Sequence, residues 1–424
     1  MKLVVANLAS PANPGDQAIL QGALKLLRAT FRDPEIFAVT RAYSEKAAYE
    51  ALGCHAVPNY PDVECLGSDS TLQKLLNIPR ALLNPSRLVA AVRQADAVFA
   101  MGGAYYYSYR KLAPGLTYLS HFTAIALAKL FGKPVVFLPQ SYGPFQSRIA
   151  QSLFDWAVHA ADFIFYREEI TGEWMRKRYP GLAHKYGFMP DLAFNLEHED
   201  VLPQTRLTLS RAGTALGHME QVLPRFQKNM PAGRIGLTIR AWEASDRNQH
   251  DYLKALVEAL STLHQKHRMR IRVIVQVQDA KKGEGDEWIS RELALQLEQR
   301  LGKDAVELCT AQPYFKLPGI CQLYQQCDFL IGMRLHSALL SFIAGRPAIV
   351  AGYQHKAEGI LKKLGLDGLY MGAFHQLDAQ ALQQACENMI TNQEMWARKI
   401  EMALVNARAE IRRTFTERMR QLSL

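Results

Sequence analysis

An arginine and a histidine two residues apart, Arg334 and His336, lie in the stretch Cys327-Asp328-Phe329-Leu330-Ile331-Gly332-Met333-Arg334-Leu335-His336-Ser337. Phe329 to Ile331 read as a short buried strand and Gly332 as the turn that leaves it, so both polar side chains are delivered to the carboxyl end of that strand. In an open α/β sheet that edge is where ligands sit. Ser337 is placed to cap the helix that follows, whose first amides attract anions. A fixed arginine with a titratable histidine beside it makes an anion site able to move protons. The plainer alternative packs His336 in a core and pairs Arg334 with a surface carboxylate. The setting between a strand and a helix, more than the residues alone, favours function.

Two further cations recur in the same kind of place. Phe163 to Tyr166 is an apolar strand that delivers Arg167-Glu168-Glu169, and the strand Ala348 to Val350 runs through Gly352-Tyr353-Gln354-His355 into Lys356. Arg240 and Gln276 also stand at strand exits, where they either line a cleft or are solvated.

The elements that must position these residues follow a repeated strand and helix alternation. Lys2 to Ala6 is a strand that leads into Asn13-Pro14-Gly15-Asp16 and an Ala/Leu-rich helix. Pro14 and Gly15 make the turn and Asp16 is a candidate cap, though a helix end aimed at the ligand edge also presents its amides. The loop is neither a GxGxxG nor a P-loop, so no dinucleotide or Walker-type site is implied. Further strands are expected over Glu35 to Thr40, Ala95 to Met101 (ending in Gly102-Gly103) and Pro134 to Pro139 (ending in Gln140-Ser141-Tyr142-Gly143-Pro144). Gly102-Gly103 is either a tight turn or a point of close backbone approach. Between Asn195 and Gly233 the rhythm is lost to prolines and glycines, which marks an interdomain connection. It resumes with Ile235 to Arg240, a helix over Asp251 to His264, a strand over Ile271 to Val277, a helix over Glu287 to Leu301, a strand at Val306 to Leu308 and a helix over Pro318 to Gln326. From Asp378 onward the sequence is helical in character.

These signals predict an α/β protein with parallel sheets in two domains: 1–195, a connection over 196–232, a second domain over 233–377, and terminal helices over 378–424 that pack back across both. The length of 424 residues agrees with two cores. No apolar run is long enough to span a bilayer and no signal-peptide core precedes Asn7, so a cytoplasmic location is expected. Six scattered cysteines without paired spacing argue against a disulfide framework and a zinc site. The net charge of +10 favours phosphorylated substrates or an anionic membrane surface, and with no RNA-binding signature or dense basic block, nucleic acid is not expected.

Taken in order, Asn13-Pro14-Gly15-Asp16, Gly102-Gly103, the Gln140 to Pro144 loop, Arg167-Glu168, Pro190-Asp191-Leu192-Ala193-Phe194, Arg334-Leu335-His336-Ser337 and Tyr353 to Lys356 resemble the polysaccharide pyruvyl transferase family over roughly residues 1 to 380. The Arg-Leu-His-Ser block and the later lysine are the most specific parts. The resemblance implies two Rossmann-like domains facing a cleft, as in GT-B glycosyltransferases, and transfer of the enolpyruvyl group of phosphoenolpyruvate to a saccharide as a pyruvate ketal in cell-surface or exopolysaccharide biosynthesis. It makes His336 the candidate general acid. Arg334, Arg167 and Lys356, with Leu335 and Ser337, become the donor-binding set, and Asn13, Asp16, Gly103, Tyr105 and Gln140 the acceptor side. The sequence departs from many relatives in carrying Ala104 after Gly102-Gly103, with an aromatic run, Tyr105-Tyr106-Tyr107, that suits a sugar ring. Phosphoenolpyruvate is a co-substrate in this scheme, and neither a cofactor nor a metal is expected. The acceptor is a sugar, lipid-linked or nucleotide-linked, and peripheral association with the inner face of a membrane would place the enzyme beside lipid-linked precursors. The competing readings are a nucleotide-sugar glycosyltransferase of the same architecture and a non-catalytic glycan-binding relative.

Overall fold

The computed structural model describes residues 1–66, 71–83, 85–109, 111–202, 233–241, 246–278, 285–310, 317–352 and 356–424. The chain forms two compact units, one of 1–11, 19–195 and 408–424, the other of 12–18 and 196–407.

The first unit holds a seven-stranded parallel sheet: β1 (Lys2–Leu8), β2 (Glu35–Thr40), β3 (His55–Pro58), β4 (Ala97–Ala100), β5 (Val135–Gln140), β6 (Phe163–Tyr166) and β7 (Tyr186–Phe188), in the order β3-β2-β1-β4-β5-β6-β7. Its inner strands read VVANL, AVFA, VVFLPQ and FIFY because helices cover both faces, leaving no solvent side on which polar residues would alternate. The order reverses between β1 and β4, which pair in register from Leu3 opposite Ala97 to Ala6 opposite Ala100. That reversal opens a crevice at the carboxyl ends of the two strands, where Asn7 and Gly102 to Gly103 emerge.

The second unit repeats the plan with six parallel strands: β8 (Arg234–Thr238), β9 (Arg270–Ile274), β10 (Val306–Cys309), β11 (Phe329–Gly332), β12 (Ala348–Gly352) and β13 (Tyr370–Ala373), in the order β10-β9-β8-β11-β12-β13. Here the reversal falls between β8 and β11, whose pairing ends with Gly332 opposite Thr238. Arg240 and Arg334 therefore leave the sheet on either side of its switch point.

Asp378 caps the helix Ala379–Thr391 by accepting from the Ala381 N–H at 2.8 Å, which fixes where the terminal helical region begins. The last helix, Gln393–Gln421, ends in the first unit. There Phe415 packs its ring against Phe31, Phe99 and Phe165 at centroid distances of 6.4, 6.0 and 6.3 Å, and the Arg418 guanidinium lies 3.7 Å from the Phe163 ring centroid. No helix of the described residues is long and apolar enough to cross a membrane.

Several expected features shift. Residues 12–18 group with the second unit. The first helix starts at Pro14, and its cap is Asn13, whose Oδ1 accepts from the Gly15 N–H at 3.0 Å. Asp16 lies in the first turn. Proline at the first helical position has no amide to satisfy, which favours this start over one at Asp16. Of the expected connection over 196–232, residues 203–232 lie outside the described residues.

Candidate functional site

In the second unit the chain runs from β11 into the helix Leu335–Ile343 with Arg334 as the capping residue, not Ser337. Ser337 lies in the first turn, fully buried; it donates to the Arg334 carbonyl at 2.6 Å and accepts from Thr238 Oγ1 at 2.7 Å. That relay ties the exit of β11 to the exit of β8. Gly332 is required beneath it, since a Cβ there would stand 2.7 Å from Ser337 Oγ. The Ser337 hydroxyl is thus used inside the protein, where it sets the direction in which Arg334 and His336 leave the helix.

Arg334 is held from its far end. Its Nε donates to Asp286 Oδ2 at 2.7 Å and its Nη2 to Asp286 Oδ1 at 2.6 Å, a two-pronged contact in which the carboxylate is 1% exposed and the guanidinium 15%. Asp286 is fixed in turn against the chain after β9, donating its N–H to the Val277 carbonyl at 2.8 Å while Oδ2 accepts from the Val277 N–H at 3.2 Å. Burial pushes the Asp286 carboxyl up from its ordinary value, and Arg334, the Val277 N–H and the charge of Arg240 pull it back. Arg240 is half-buried at the exit of β8, and Gln276, one of the two strand-exit candidates, is buried and accepts from the Tyr324 hydroxyl at 3.0 Å.

His336, half-buried, stands in the first turn of the same helix with Nε2 shielded from solvent. Gly15 lies directly on it: a Cβ at Gly15 would be 2.9 Å from His336 Cβ and Cγ and 3.0 Å from Nδ1. The segment that carries Gly15 is anchored by Gln17, whose Oε1 accepts from the Leu317 N–H at 3.0 Å. Asn13 and Asp16, expected on the acceptor side, flank Gly15 in this segment, which groups with the second unit. Leu335 is half-buried, and Lys356 opens the helix Lys356–Lys363 at 7% exposure. Tyr353 to His355 lie outside the described residues.

The remaining candidates lie in the first unit. Arg167, 4% exposed, pairs through Nη1 with the buried Asp191 and donates through Nε to Ser141 Oγ at 3.0 Å; Ser141 donates to Glu168 Oε2 at 3.2 Å, and Thr171 donates to the other Glu168 oxygen. Gly103 adopts φ 128°, a conformation other residues resist, and its carbonyl accepts from the Ser141 N–H at 3.0 Å. Gln140 is fully buried, with Nε2 3.5 Å from the Tyr105 hydroxyl.

The model for polysaccharide pyruvyl transferases matches residues 13–355. The chain belongs to the polysaccharide pyruvyl transferase family. Within that family setting it is 25% identical over 394 residues to the amylovoran biosynthesis protein AmsJ of Erwinia amylovora, with 86% of each chain covered. Among solved structures it resembles a UDP-GlcNAc 2-epimerase from Neisseria meningitidis (TM-score 0.59, 12% identity, 99% of this chain and 100% of that one) and a glycosyltransferase from Rickettsia africae (TM-score 0.58, 12% identity, 99% and 98%). Those likenesses bear on fold alone: two parallel-sheet α/β domains of the GT-B kind, with a helical C-terminus.

Sequence reasoning missed the residues that act through others in this member of the family. Asp286 and Thr238 hold Arg334 and Ser337, yet neither stands in a motif. The signal available for Asp286 was weak, an acidic residue just before the helix Glu287–Leu301, which reads equally well as an ordinary cap.

Proposed function

We propose that this enzyme transfers the enolpyruvyl group of phosphoenolpyruvate to two hydroxyls of a saccharide, forming a cyclic pyruvate ketal. The observation that supports this most is the pairing of an arginine clamped at a helix N-terminus, Arg334, with a histidine two positions further on, His336, at the switch point of a parallel sheet. Phosphoenolpyruvate brings a carboxylate and a phosphate on a small frame. Arg334, Arg240, Lys356 and the first amides of the helix Leu335–Ile343 supply the matching positive potential. Asp286 holds the Arg334 fork before the donor arrives, so less ordering remains to be done on binding.

In the reaction, His336 as imidazolium gives its proton to the methylene carbon, which becomes the methyl group of the product. The neighbouring carbon gains oxocarbenium character and is attacked by one sugar hydroxyl oxygen. The carbon–oxygen bond to phosphate then breaks, phosphate leaves, and the second hydroxyl oxygen closes the ring on the same carbon. One hydroxyl proton replaces that given by His336 and the other leaves with phosphate or to solvent, so the sum is donor plus diol giving ketal plus phosphate. The general acid and the preorganised charge are the two contributions this geometry makes.

The test is phosphate release from phosphoenolpyruvate with a panel of nucleotide-linked and lipid-linked sugars, with mass spectrometry of the product. A gain in acceptor mass of one pyruvate less one water supports the reading. Binding of a nucleoside diphosphate sugar with transfer of its sugar and no consumption of phosphoenolpyruvate would replace it with glycosyl transfer.

A further inference from the structure

The first unit carries a surface to which the chemistry proposed above gives no part. The helix Arg148–Ala160 buries Ala150, Phe154, Ala157 and Val158. Its other stripe holds Ile149, Leu153 and Trp156, spaced to share one face, and there Ile149 and Trp156 stay 54% and 41% exposed.

Two neighbours extend this stripe. The loop after β4 is tied to the start of the helix through Ser108, whose Oγ accepts from the N–H groups of Gln146 at 3.0 Å and Ser147 at 2.9 Å, and whose own N–H donates to the Pro144 carbonyl at 2.9 Å. Tyr107 and Tyr109, on either side of Ser108, are exposed with ring centroids 4.9 Å apart, and Leu112 follows at 73% exposure. On the other flank the helix Leu116–Leu130 is joined by the Tyr118 hydroxyl, which donates to the Ala150 carbonyl at 2.9 Å, and by the Phe122 ring, 6.4 Å from that of Trp156. Exposed aromatic and aliphatic side chains of one helix and one loop therefore lie side by side.

The charges on this face have one sign. From Gly102 to Asp162 the chain holds only the carboxylates of Asp155 and Asp162. Asp155 accepts from Arg178 Nη2 and the Tyr179 hydroxyl, both at 2.6 Å, and Asp162 pairs with Lys129 at 3.4 Å. Lys111 and Arg148 are exposed and enter no ion pair among the described residues. By contrast Trp288 and Leu295, exposed on the helix Glu287–Leu301, stand a turn away from Glu292 and Glu298. The net charge of +10 suits acidic partners of any kind. A soluble anion has no use for the apolar anchors beside Lys111 and Arg148, whereas a lipid surface takes both: amphipathic rings settle at the headgroup level, aliphatic side chains reach the acyl boundary and cations meet acidic headgroups.

We propose that this face docks the protein on an anionic membrane surface, with Trp156, Tyr107 and Tyr109 among the headgroups, Ile149 and Leu112 below them, and Lys111 and Arg148 on the acidic lipids. The loop that carries Tyr105 is then held at the bilayer, where an acceptor carried on a lipid reaches it without leaving the membrane. That consequence rests on the proposed ketal-forming reaction; the membrane contact does not.

The experiment is co-sedimentation of the full chain, without phosphoenolpyruvate, with vesicles of phosphatidylcholine alone and of phosphatidylcholine mixed with phosphatidylglycerol, at low and high salt. Binding to the mixed vesicles is expected, with little to the neutral ones, and it should weaken as salt rises. Ile149→Ser with Trp156→Ser, and separately Lys111→Glu with Arg148→Glu, should each weaken it by more than about tenfold. Met402→Ser, which removes an exposed apolar side chain from the last helix, should bind as the native chain does. Melting temperatures identify a variant that fails to fold, and Ile149→Gln then takes the place of the first pair with the same direction of effect. In turnover the variants of this face should lose activity on an acceptor embedded in vesicles and keep it on a soluble one. Vesicle binding by a protein that consumes no phosphoenolpyruvate would leave the docking face standing and overturn the donor reading. A native chain that ignores anionic vesicles at low salt, folded variants that bind them unchanged, or a dimer in solution that the same variants split into monomers would overturn the docking face.

Discussion

The Arg334 guanidinium meets the Asp286 carboxylate with two parallel hydrogen bonds of 2.6 and 2.7 Å, across 48 positions of sequence. The carboxylate is nearly inaccessible, so removing it strands a charge in a poorly solvated place. Asp286→Ala should therefore lower stability by about 3–5 kcal/mol. Asp286→Asn keeps the shape and the Val277 contacts, and its expected effect falls on the donor: Arg334 is less well fixed and the phosphoenolpyruvate KM rises. Denaturant titration with steady-state kinetics separates the two, and an unchanged KM in Asp286→Asn would deny Asp286 its positioning role.

In the proposed reaction His336 is the general acid. His336→Gln should reduce turnover by about 10²- to 10⁴-fold while phosphoenolpyruvate affinity stays within about tenfold, because a general acid acts on the transition state more than on the ground state. Turnover near normal would assign the proton to another group.

Gly15 tests the same histidine from the opposite side. Its missing Cβ would collide with the root of the His336 side chain, which cannot swing away as a chain end can. Gly15→Ala is expected to displace the imidazole and cut turnover by about tenfold or more, since misplacement of a reacting group is costly. Gly15 has no positive φ that alanine would strain, so the melting temperature should fall much less than activity. Full activity in the variant would mean that the loop yields and leaves His336 in place.

The pH dependence of stability has a contribution of definite sign from His121. Its folded-state pKa is depressed by burial below the ordinary 6.5, so the folded protein keeps the ring neutral where the unfolded chain takes up a proton. The stabilising contribution is complete above 6.5 and is lost as pH falls from there toward the depressed folded value, at about 1.4 kcal/mol per pH unit. Unfolding measured from about pH 7.5 down to pH 5 should show this slope, reduced in His121→Phe. Identical slopes in the two proteins would contradict the buried neutral ring.

Most strands and the long terminal helical region were legible because each is a period or an apolar run that a local window contains; Glu35–Thr40 and Phe163–Tyr166 fall where their composition places them. The missed strands, His55–Pro58, Tyr186–Phe188 and Tyr370–Ala373, lie at sheet edges, where one-sided pairing asks for less apolar sequence. Arg334 and His336 stood out by their place between strand and helix. The partners that fix them did not, because the Arg334 to Asp286 clamp and the Thr238 to Ser337 relay depend on strand order, and a sequence read in one dimension contains no strand order.

Arg167 has two roles to separate. Its ion pair with Asp191 is buried on both sides, at 4% and 1% exposure, so Arg167→Ala should destabilise the protein by about 3–5 kcal/mol whether or not a ligand ever touches it. Loss of activity in that variant says nothing about donor binding. The double variant Arg167→Met with Asp191→Asn removes both charges together and should recover much of the lost stability, because neither member of the pair is left charged without the other. In the native protein the contacts to Ser141 and Asp191 use Nε and Nη1, and Nη2 is the nitrogen that remains to reach a ligand. If Arg167 binds the donor, the stable double variant should still show a phosphoenolpyruvate KM raised by roughly ten- to a hundredfold, the worth of one charge-assisted contact of about 1.5–3 kcal/mol. That is the expected outcome. Recovery of stability with a native donor KM would restrict Arg167 to holding the carboxyl end of β6 in place and leave donor binding to Arg334, Arg240 and Lys356.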